Sequence, residues 1–331
     1  MSKVTWGVLG VAKIATTKVI PAMQRSGVTS VAAIASRDLG KAQAAATALG
    51  IPRAYGSYEE LLADPEIDCI YNPLPNHLHV PWSIRAAEAG KHVLCEKPIG
   101  LNVEECRKLM AVRDRANVRI GEAFMVRTHP QWLRARELVR SGRIGDLRGI
   151  LCAFSYFNRD PANVRNVPAW GGGALMDIGC YPIQISRFIF EAEPLRVSAA
   201  IERDPDFAVD RLTSGLLDFD RGQCVFLCGT QVAPYQRVQI LGTTGVIDIE
   251  IPFNAPPDRP CRLWIQDGTN RTEEQFDICD QYTIQADLFS SAVRGEGEVP
   301  TPLEDSMRNM AVIEALIRSA AERAQVVPEP V

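Results

Sequence analysis

The sequence is short of histidine and lacks basic runs and long apolar runs, and each lack removes a class of function. Four histidines in 331 residues are scattered apart from His77 and His79. No further ligand-type cluster accompanies that pair, so no metal site is expected. Lys and Arg total 36 against 40 Asp and Glu, a net charge of -4. Without a basic stretch there is no electrostatic footprint for nucleic acid. No apolar segment reaches membrane-spanning length, and the chain enters a strand at Val4 without a secretory leader. A cytosolic location is expected. Internal repeats are absent, and the short Pro-containing tail is the one biased segment. Cysteine is not scarce, but the nine residues are an odd number, and Cys69, Cys95, Cys152 and Cys180 lie in apolar runs. Cys224 and Cys228 enclose three residues, not the two of a zinc knuckle or redox pair. Buried reduced thiols are the expectation.

What is present is a change of pattern. An apolar fraction of 46% and a charged fraction of 23% are those of an ordinary globular protein, with length for two cores. Val4–Leu9, Val31–Ala35, Ile67–Tyr71, His92–Cys95 and Arg119–Ala123 read as short strands. Helices alternate with them: one with Ile14, Val19, Ile20 and Met23 on its apolar face, then Leu39–Leu49, one opened at Tyr58 by the capping box Ser57/Glu60, Val80–Ala89 and Val103–Ala116. Such alternation predicts a doubly wound parallel sheet, an α/β domain over residues 1–123. From 124 to 331 the chain reads as α+β. Helices near Gln131–Ser141 and Ala174–Phe190 flank the strand Leu147–Phe157. Six turn-separated strands between Val197 and Ile265 predict a large, open, mostly antiparallel sheet. Helices over Ile284–Arg294 and Leu303–Arg323 close the chain.

Three constellations carry chemistry, and one further residue stands out by position. Gly7-x-x-Gly10-x-Ala12-x-x-Ala15 matches the dinucleotide fingerprint, with alanine at its second and third glycine positions. Gly10 allows the tight turn, and the following helix start, with Ala12, Lys13 and Ile14, offers backbone N–H groups to a pyrophosphate. At the end of the next strand Ser36 and Arg37 present a hydroxyl and a guanidinium, a pair suited to a 2′-phosphate. NADP is favoured over NAD, although Asp38 could either cap the next helix or turn toward a ribose. Gly171-Gly172-Gly173 precedes Asp177 and Tyr181, which fall one helical turn apart on one face. The glycines would allow backbone to approach a ligand closely. Lys97, in Glu96-Lys97-Pro98 at the end of the strand His92–Cys95, lies where open α/β sheets bind ligands. A lysine and a tyrosine in one pocket make a proton-transfer pair, because the cation favours ionisation of a phenol whose free pKa is about 10.

Together with Pro75-Asn76-His77-x-His79, these motifs resemble the glucose–fructose oxidoreductase/inositol dehydrogenase/rhizopine-catabolism family, essentially end to end. Glu122-Ala123-Phe124-Met125-x-Arg127-x-His129-Pro130-Gln131 and the tyrosine at 181 resemble its dihydrodiol dehydrogenase and NADP-linked D-xylose dehydrogenase branch. The resemblance implies that Lys97 orients substrate and tunes the acid, that Tyr181 exchanges the proton, and that Asp177 binds substrate or positions the pair. It also implies cofactor contacts from Pro75, Asn76, His79, Glu96 and Lys97, with Arg165 and Trp170 closing over the cofactor. A homodimer or homotetramer through the C-terminal sheet is a further implication. The expected activity is NADP(H)-linked hydride transfer, NAD(H) being possible, on a sugar, polyol or dihydrodiol. Two alternatives are a non-catalytic NADP-binding sensor or scaffold and a nicotinamide-recycling lyase or glycosidase, for which His129 is the candidate base.

Overall fold

Six short strands of small and β-branched residues pair side by side in the computed structural model, which describes residues 3–331. They are β1 (Val4–Leu9), β2 (Thr29–Ala35), β3 (Arg53–Tyr55), β4 (Cys69–Asn72), β5 (His92–Cys95) and β6 (Ile120–Glu122). The sheet order is β3-β2-β1-β4-β5-β6, and every pairing is parallel. The order reverses between β1 and β4, so the carboxyl ends of these strands flank a crevice of the dinucleotide-binding kind. Between the strands run α1 (Ile20–Arg25), α2 (Leu39–Leu49), α3 (Tyr58–Leu62), α4 (Asn76–Glu88) and α5 (Val103–Ala116). Side chains set the helix starts: Asp38, Ser57 and Asn102 accept from the N–H three residues on, at 3.1, 3.1 and 2.8 Å. Ser57 makes its half of the expected capping box, while Glu60 reaches one residue beyond the cap, to the Gly56 N–H, at 3.0 Å.

Two elements of this unit were not anticipated as they stand. β3 is three half-buried residues long, too short to show a period. α4 begins at Asn76 and not at Val80, with Pro81 inside it, so His79 belongs to a helix.

The second unit holds α6 (Pro130–Arg140), β7 (Leu147–Phe157), α7 (Cys180–Phe190) and the strands β8 (Arg196–Arg203), β9 (Asp210–Phe219), β10 (Gly222–Gly229), β11 (Gln231–Gly242), β12 (Val246–Ile249), β13 (Cys261–Asp267) and β14 (Asn270–Phe276). They form one sheet ordered β14-β13-β12-β11-β7-β10-β9-β8, antiparallel except between β7 and β10. Along β7 the side chains alternate: Ile150, Cys152 and Phe154 are buried, whereas Leu151 and Phe157 are exposed. Val225 pairs with Leu151, and Leu227 and Tyr235 are exposed on the same face, which therefore carries an apolar patch open to solvent. α7 is buried all round, as its almost wholly apolar sequence requires. The polar edge strand β14 was not anticipated; its Arg271, Glu273 and Glu274 suit an edge that must not pair further.

α8 (Gln281–Val293) and α9 (Leu303–Glu322) complete the chain. The first unit runs to Met125 and then takes in Asp280–Ser306, and the second is Val126–Cys279 with Met307–Val331. A second domain running unbroken from 124 to the end is thereby corrected. The cause is packing: Phe289 and Ala286 are fully buried in the core of the parallel sheet, and Phe289 lies 5.6 Å from the Trp6 ring. Trp6 Nε1 donates to Ser290 Oγ at 3.3 Å, and Thr283 Oγ1 to the Ala22 carbonyl at 3.0 Å.

Candidate active site

Gly10 sits at the turn after β1 with φ +85°, a conformation that favours glycine, and its N–H donates to Ala35 O at 2.8 Å. A Cβ there would stand 2.9 Å from Leu74 and 3.6 Å from the Tyr58 hydroxyl. The turn therefore packs against its own walls on one side and leads on the other into Lys13, Ile14 and a π-turn over Ala15–Val19. Ala15, at the third fingerprint position, is fully buried, and Ala12 and Ile14 pack partly against the core. This is a fitting cradle for a dinucleotide: a glycine turn that admits no Cβ, then a helix start with backbone N–H groups unused by the helix.

The question over Asp38 is resolved in favour of the helix. Its side chain caps α2, which leaves Ser36 and Arg37 at the strand end without an acidic rival at this point. Arg37 lies beside the Tyr58 hydroxyl, whose pKa burial raises and the guanidinium pulls back. The same guanidinium, after burial, lowers the pKa of His77. Tyr58, marked in the sequence only as a helix start, therefore joins Gly10 and Arg37 at one end of the crevice.

Around Lys97 the strand ends are tied down. Asn72 closes β4 by donating to His79 O (3.0 Å) and Ser83 Oγ (3.1 Å). Pro75 is the residue before α4, Asn76 its first, and both are half-buried. His79 is different: it is buried, with Nδ1 2.7 Å from Pro98 O and Nε2 2.6 Å from Leu74 O. Burial pushes its pKa down to about 4 against the pull of these carbonyls. Near neutrality one nitrogen donates to a carbonyl while the other lies against its neighbour without a proton. With both nitrogens on backbone, His79 pins the Leu74 turn to Pro98, and its expected contact with cofactor is corrected to a buried tie. Glu96 accepts from the buried Tyr71 hydroxyl at 2.6 Å, and Glu122 Oε1 accepts from the Ile99 N–H at 2.8 Å. The Lys97–Pro98 peptide is cis, and Lys97 is half-buried. Tyr282, brought back by α8, lies near both Glu96 and Lys97: burial and then Glu96 raise its pKa, and Lys97 opposes them.

In the second unit a π-turn over Leu175–Gly179 carries Asp177, 8% exposed, and runs into α7, which carries Tyr181, 5% exposed. Asp177 Oδ2 receives two donors, Arg165 Nε at 2.8 Å and the Tyr156 hydroxyl at 2.5 Å. Asp177 is also the main cause of the raised Arg165 pKa, which Tyr156 and Tyr181 further favour. Arg165 thus sits on the Asp177 side, and Tyr156 is a site residue that the sequence did not single out. Tyr181 packs against Phe154 and Phe253, at 5.6 and 5.3 Å between ring centres. Trp170 ends a short 3-10 turn and is 40% exposed. Two glycines of the run are required by the protein's own packing. A Cβ at Gly172 would be 2.4 Å from Arg165 O, and one at Gly173 1.9 Å from Asp210 Oδ1. His129 caps α6, accepting from the Gln131 N–H at 3.2 Å, and burial holds its pKa near 4. Its Nε2 is 3.5 Å from Cys279 Sγ, so neither nitrogen is directed to a substrate-type role.

The family model described as oxidoreductase family, NAD-binding Rossmann fold, matches residues 4–124, and the GFO/IDH/MocA C-terminal domain matches 132–248. An uncharacterized oxidoreductase of Rhizobium meliloti is 49% identical over 97% of this chain and 98% of its own. The chain belongs to the Gfo/Idh/MocA oxidoreductase family. The D-xylose 1-dehydrogenase (NADP(+)) 2 of Haloferax volcanii is 40% identical over 97% of this chain and 98% of its own. Among solved structures, the 3-ketoreductase KijD10 of Actinomadura kijaniata, in complex with NADP and TDP-benzene, superposes with a TM-score of 0.91 at 28% identity, covering 96% and 98% of the two chains. As a member of this family the protein is an NAD(P)-dependent oxidoreductase with a Rossmann domain. Among the described residues no three His, Cys, Asp or Glu side chains gather as a metal site, and no helix is long and apolar enough to cross a membrane.

Proposed function

We propose that this enzyme transfers hydride between NADP(H) and a carbinol or carbonyl carbon of an uncharged sugar, polyol or dihydrodiol, with Lys97 and Tyr181 as its acid–base pair. One observation carries the substrate class. The Asp177 carboxylate beside Tyr181 is matched by Arg165 and hydrogen-bonded by Tyr156, so this wall offers polar contacts without a surplus charge. The 40% identical relative is a D-xylose dehydrogenase, which agrees with such a substrate.

Gly10, Ala12, Lys13 and Ile14 hold the pyrophosphate, and Pro75, Asn76 and Glu96 the nicotinamide side, with Trp170 closing nearby. When bound, the nicotinamide accepts or supplies the hydride. Tyr181 takes the hydroxyl proton in oxidation and returns it in reduction, and the Lys97 cation lowers the cost of the phenolate. Asp177, held by Arg165 and Tyr156, accepts from a substrate hydroxyl. Ser36 and Arg37 take the 2′-phosphate, a preference shared with the NADP-linked relatives. Arg37→Ala then raises the KM for NADP+ by roughly 10- to 100-fold, as the loss of a charge-assisted hydrogen bond implies, and leaves that for NAD+ nearly unchanged.

The direct test is to follow reduced cofactor with aldoses, ketoses and trans-dihydrodiols in the presence of NADP+ or NAD+. Net turnover supports the dehydrogenase reading. Product without net turnover points instead to a recycling lyase, and binding without product to a sensor. A recycling enzyme needs an additional base, and the capping role of His129 removes its candidate.

The same reading includes a homo-oligomer through the open sheet face, whose Leu151, Val225, Leu227 and Tyr235 are exposed. A charge at its centre, as in Val225→Glu, converts the oligomer to monomer in analytical ultracentrifugation, because an unpaired charge is costly in an apolar contact. An unchanged sedimentation coefficient rules this face out.

A further inference from the structure

Asp210 opens β9 with a carboxylate that is only 8% exposed and that the proposed reaction does not use. Its Oδ2 accepts a short hydrogen bond from the Leu175 N–H, at 2.6 Å, and a second from Thr213 Oγ1, at 3.1 Å. Leu175 begins the π-turn that leads into α7. The carboxylate therefore closes the N-terminal end of the helix that carries Asp177 and Tyr181, where backbone N–H groups lack partners and negative charge is favoured. The other oxygen is equally confined: Gly173, with φ +116°, leaves only 1.9 Å between a Cβ position and Oδ1.

Burial raises the Asp210 pKa to about 6, against the opposing pull of the Leu175 N–H, the Thr213 hydroxyl and, more weakly, Arg203. Facing it from β10 is the Cys228 thiol, which burial, then Asp210, Cys180 and Asp177 keep protonated. A carboxyl whose folded pKa exceeds its unfolded value of about 3.9 stabilises the fold below that value and loses this contribution as pH rises through the folded pKa. Near neutrality the fold thus carries a buried charge that weakens it, at the first turn of the helix bearing the proposed proton carrier. Stability alone does not account for that placement.

We propose that Asp210 is a positioning residue whose carboxylate fixes the first turn of this helix and so sets the reach of Asp177 and Tyr181. It rests on the reading of Tyr181 as proton carrier, so Tyr181→Phe accompanies the test. Asp210→Asn removes the charge and forces an amide NH2 either onto the Leu175 N–H or against Gly173. Thr213→Val removes one donor to the same oxygen and keeps its shape. Each is assayed with NADP(H) and the best substrate of the aldose, ketose and dihydrodiol panel, and melted across about pH 4 to 8.

In the parent enzyme kcat falls on the acid side of about 6 while the Asp210 contribution to melting temperature rises. Asp210→Asn loses that acid limb and about 10- to 100-fold in kcat, with NADP(H) affinity within about twofold, since the reacting groups and not the cofactor are misplaced. The parent's melting temperature gains on that of the variant as pH falls through about 6. Thr213→Val moves the acid limb to higher pH, because the ionised form has lost a donor. Parent-like kcat in Asp210→Asn, or an unmoved limb in Thr213→Val, overturns the proposal; if the Asn variant does not fold, the Thr213→Val limb decides alone. Parent-like turnover in Tyr181→Phe, with the losses at Asp210 intact, sinks the Tyr181 reading and leaves the positioning of the helix standing.

Discussion

Tyr181→Phe and Lys97→Met each lower kcat by about 10²- to 10⁴-fold and leave NADP(H) affinity within a few-fold. In energy this is about 2.7 to 5.5 kcal/mol of transition-state stabilisation. Phenylalanine keeps the ring that packs on Phe154 and Phe253, so the fold of this region survives and only the hydroxyl is lost. Methionine keeps most of the lysine stem and removes the cation that the proposed mechanism uses to favour the phenolate. The proposed pairing of the two residues predicts non-additivity: the double variant loses little more than either single one. Steady-state kinetics with a fluorescence titration of NADPH separates the effects. A variant that kept near-parent kcat with a competent substrate would remove its residue from the reaction.

Phe289→Ala is expected to be the most damaging substitution outside the site, costing about 3 to 5 kcal/mol, the usual range for deleting a buried phenylalanine ring. The ring is fully buried against Trp6, and Phe289 Cε2 lies 3.2 Å from where a Cβ on Gly121 would be. The loss falls on the first unit, so in denaturant the transition of that unit shifts first and the unfolding curve broadens or splits. Tyr282 is on the same helix, two turns earlier, so loosening α8 also disturbs the surroundings of Lys97 and Glu96 and lowers kcat. Leu288→Ala, next door but 43% exposed, is the control and stays within about 0.5 kcal/mol. Equal effects from the two changes would mean that α8 does not anchor the first unit.

Particular residues show why some of the site was legible and some was not. Lys97 could be found because a four-residue strand with three apolar residues precedes it and its place at a strand end is a local fact. Asp177 and Tyr181 could be paired because helical spacing alone puts them on one face. Tyr58 and Arg37 stand 21 positions apart, and nothing in either neighbourhood announces the other. Tyr156 likewise reaches Asp177 only because β7 passes the first turn of the helix. His79 misled because a histidine in a motif suggests chemistry, whereas its two backbone partners, at Leu74 and Pro98, are invisible to any pattern. The run Gly171-Gly172-Gly173 reads as backbone that something approaches closely, but no pattern says that Arg165 O crowds Gly172 and Asp210 crowds Gly173.

By itself the sequence determined the parallel doubly wound half, the glycine turn that opens it, the lysine at the end of β5 and the tyrosine on the buried helix. All of these follow from short-range rules: alternation, helical period, capping and the conformational freedom of Gly10. Tertiary structure alone decided that Asp280–Ser306 returns to the first unit, that Tyr282 comes beside Lys97, that Arg165 and Tyr156 share one oxygen of Asp177, and that Asp210 lies under Gly173. Each of these pairs depends on which strand neighbours which and in what register, a choice made by the packing of the whole core and therefore not written in any one segment.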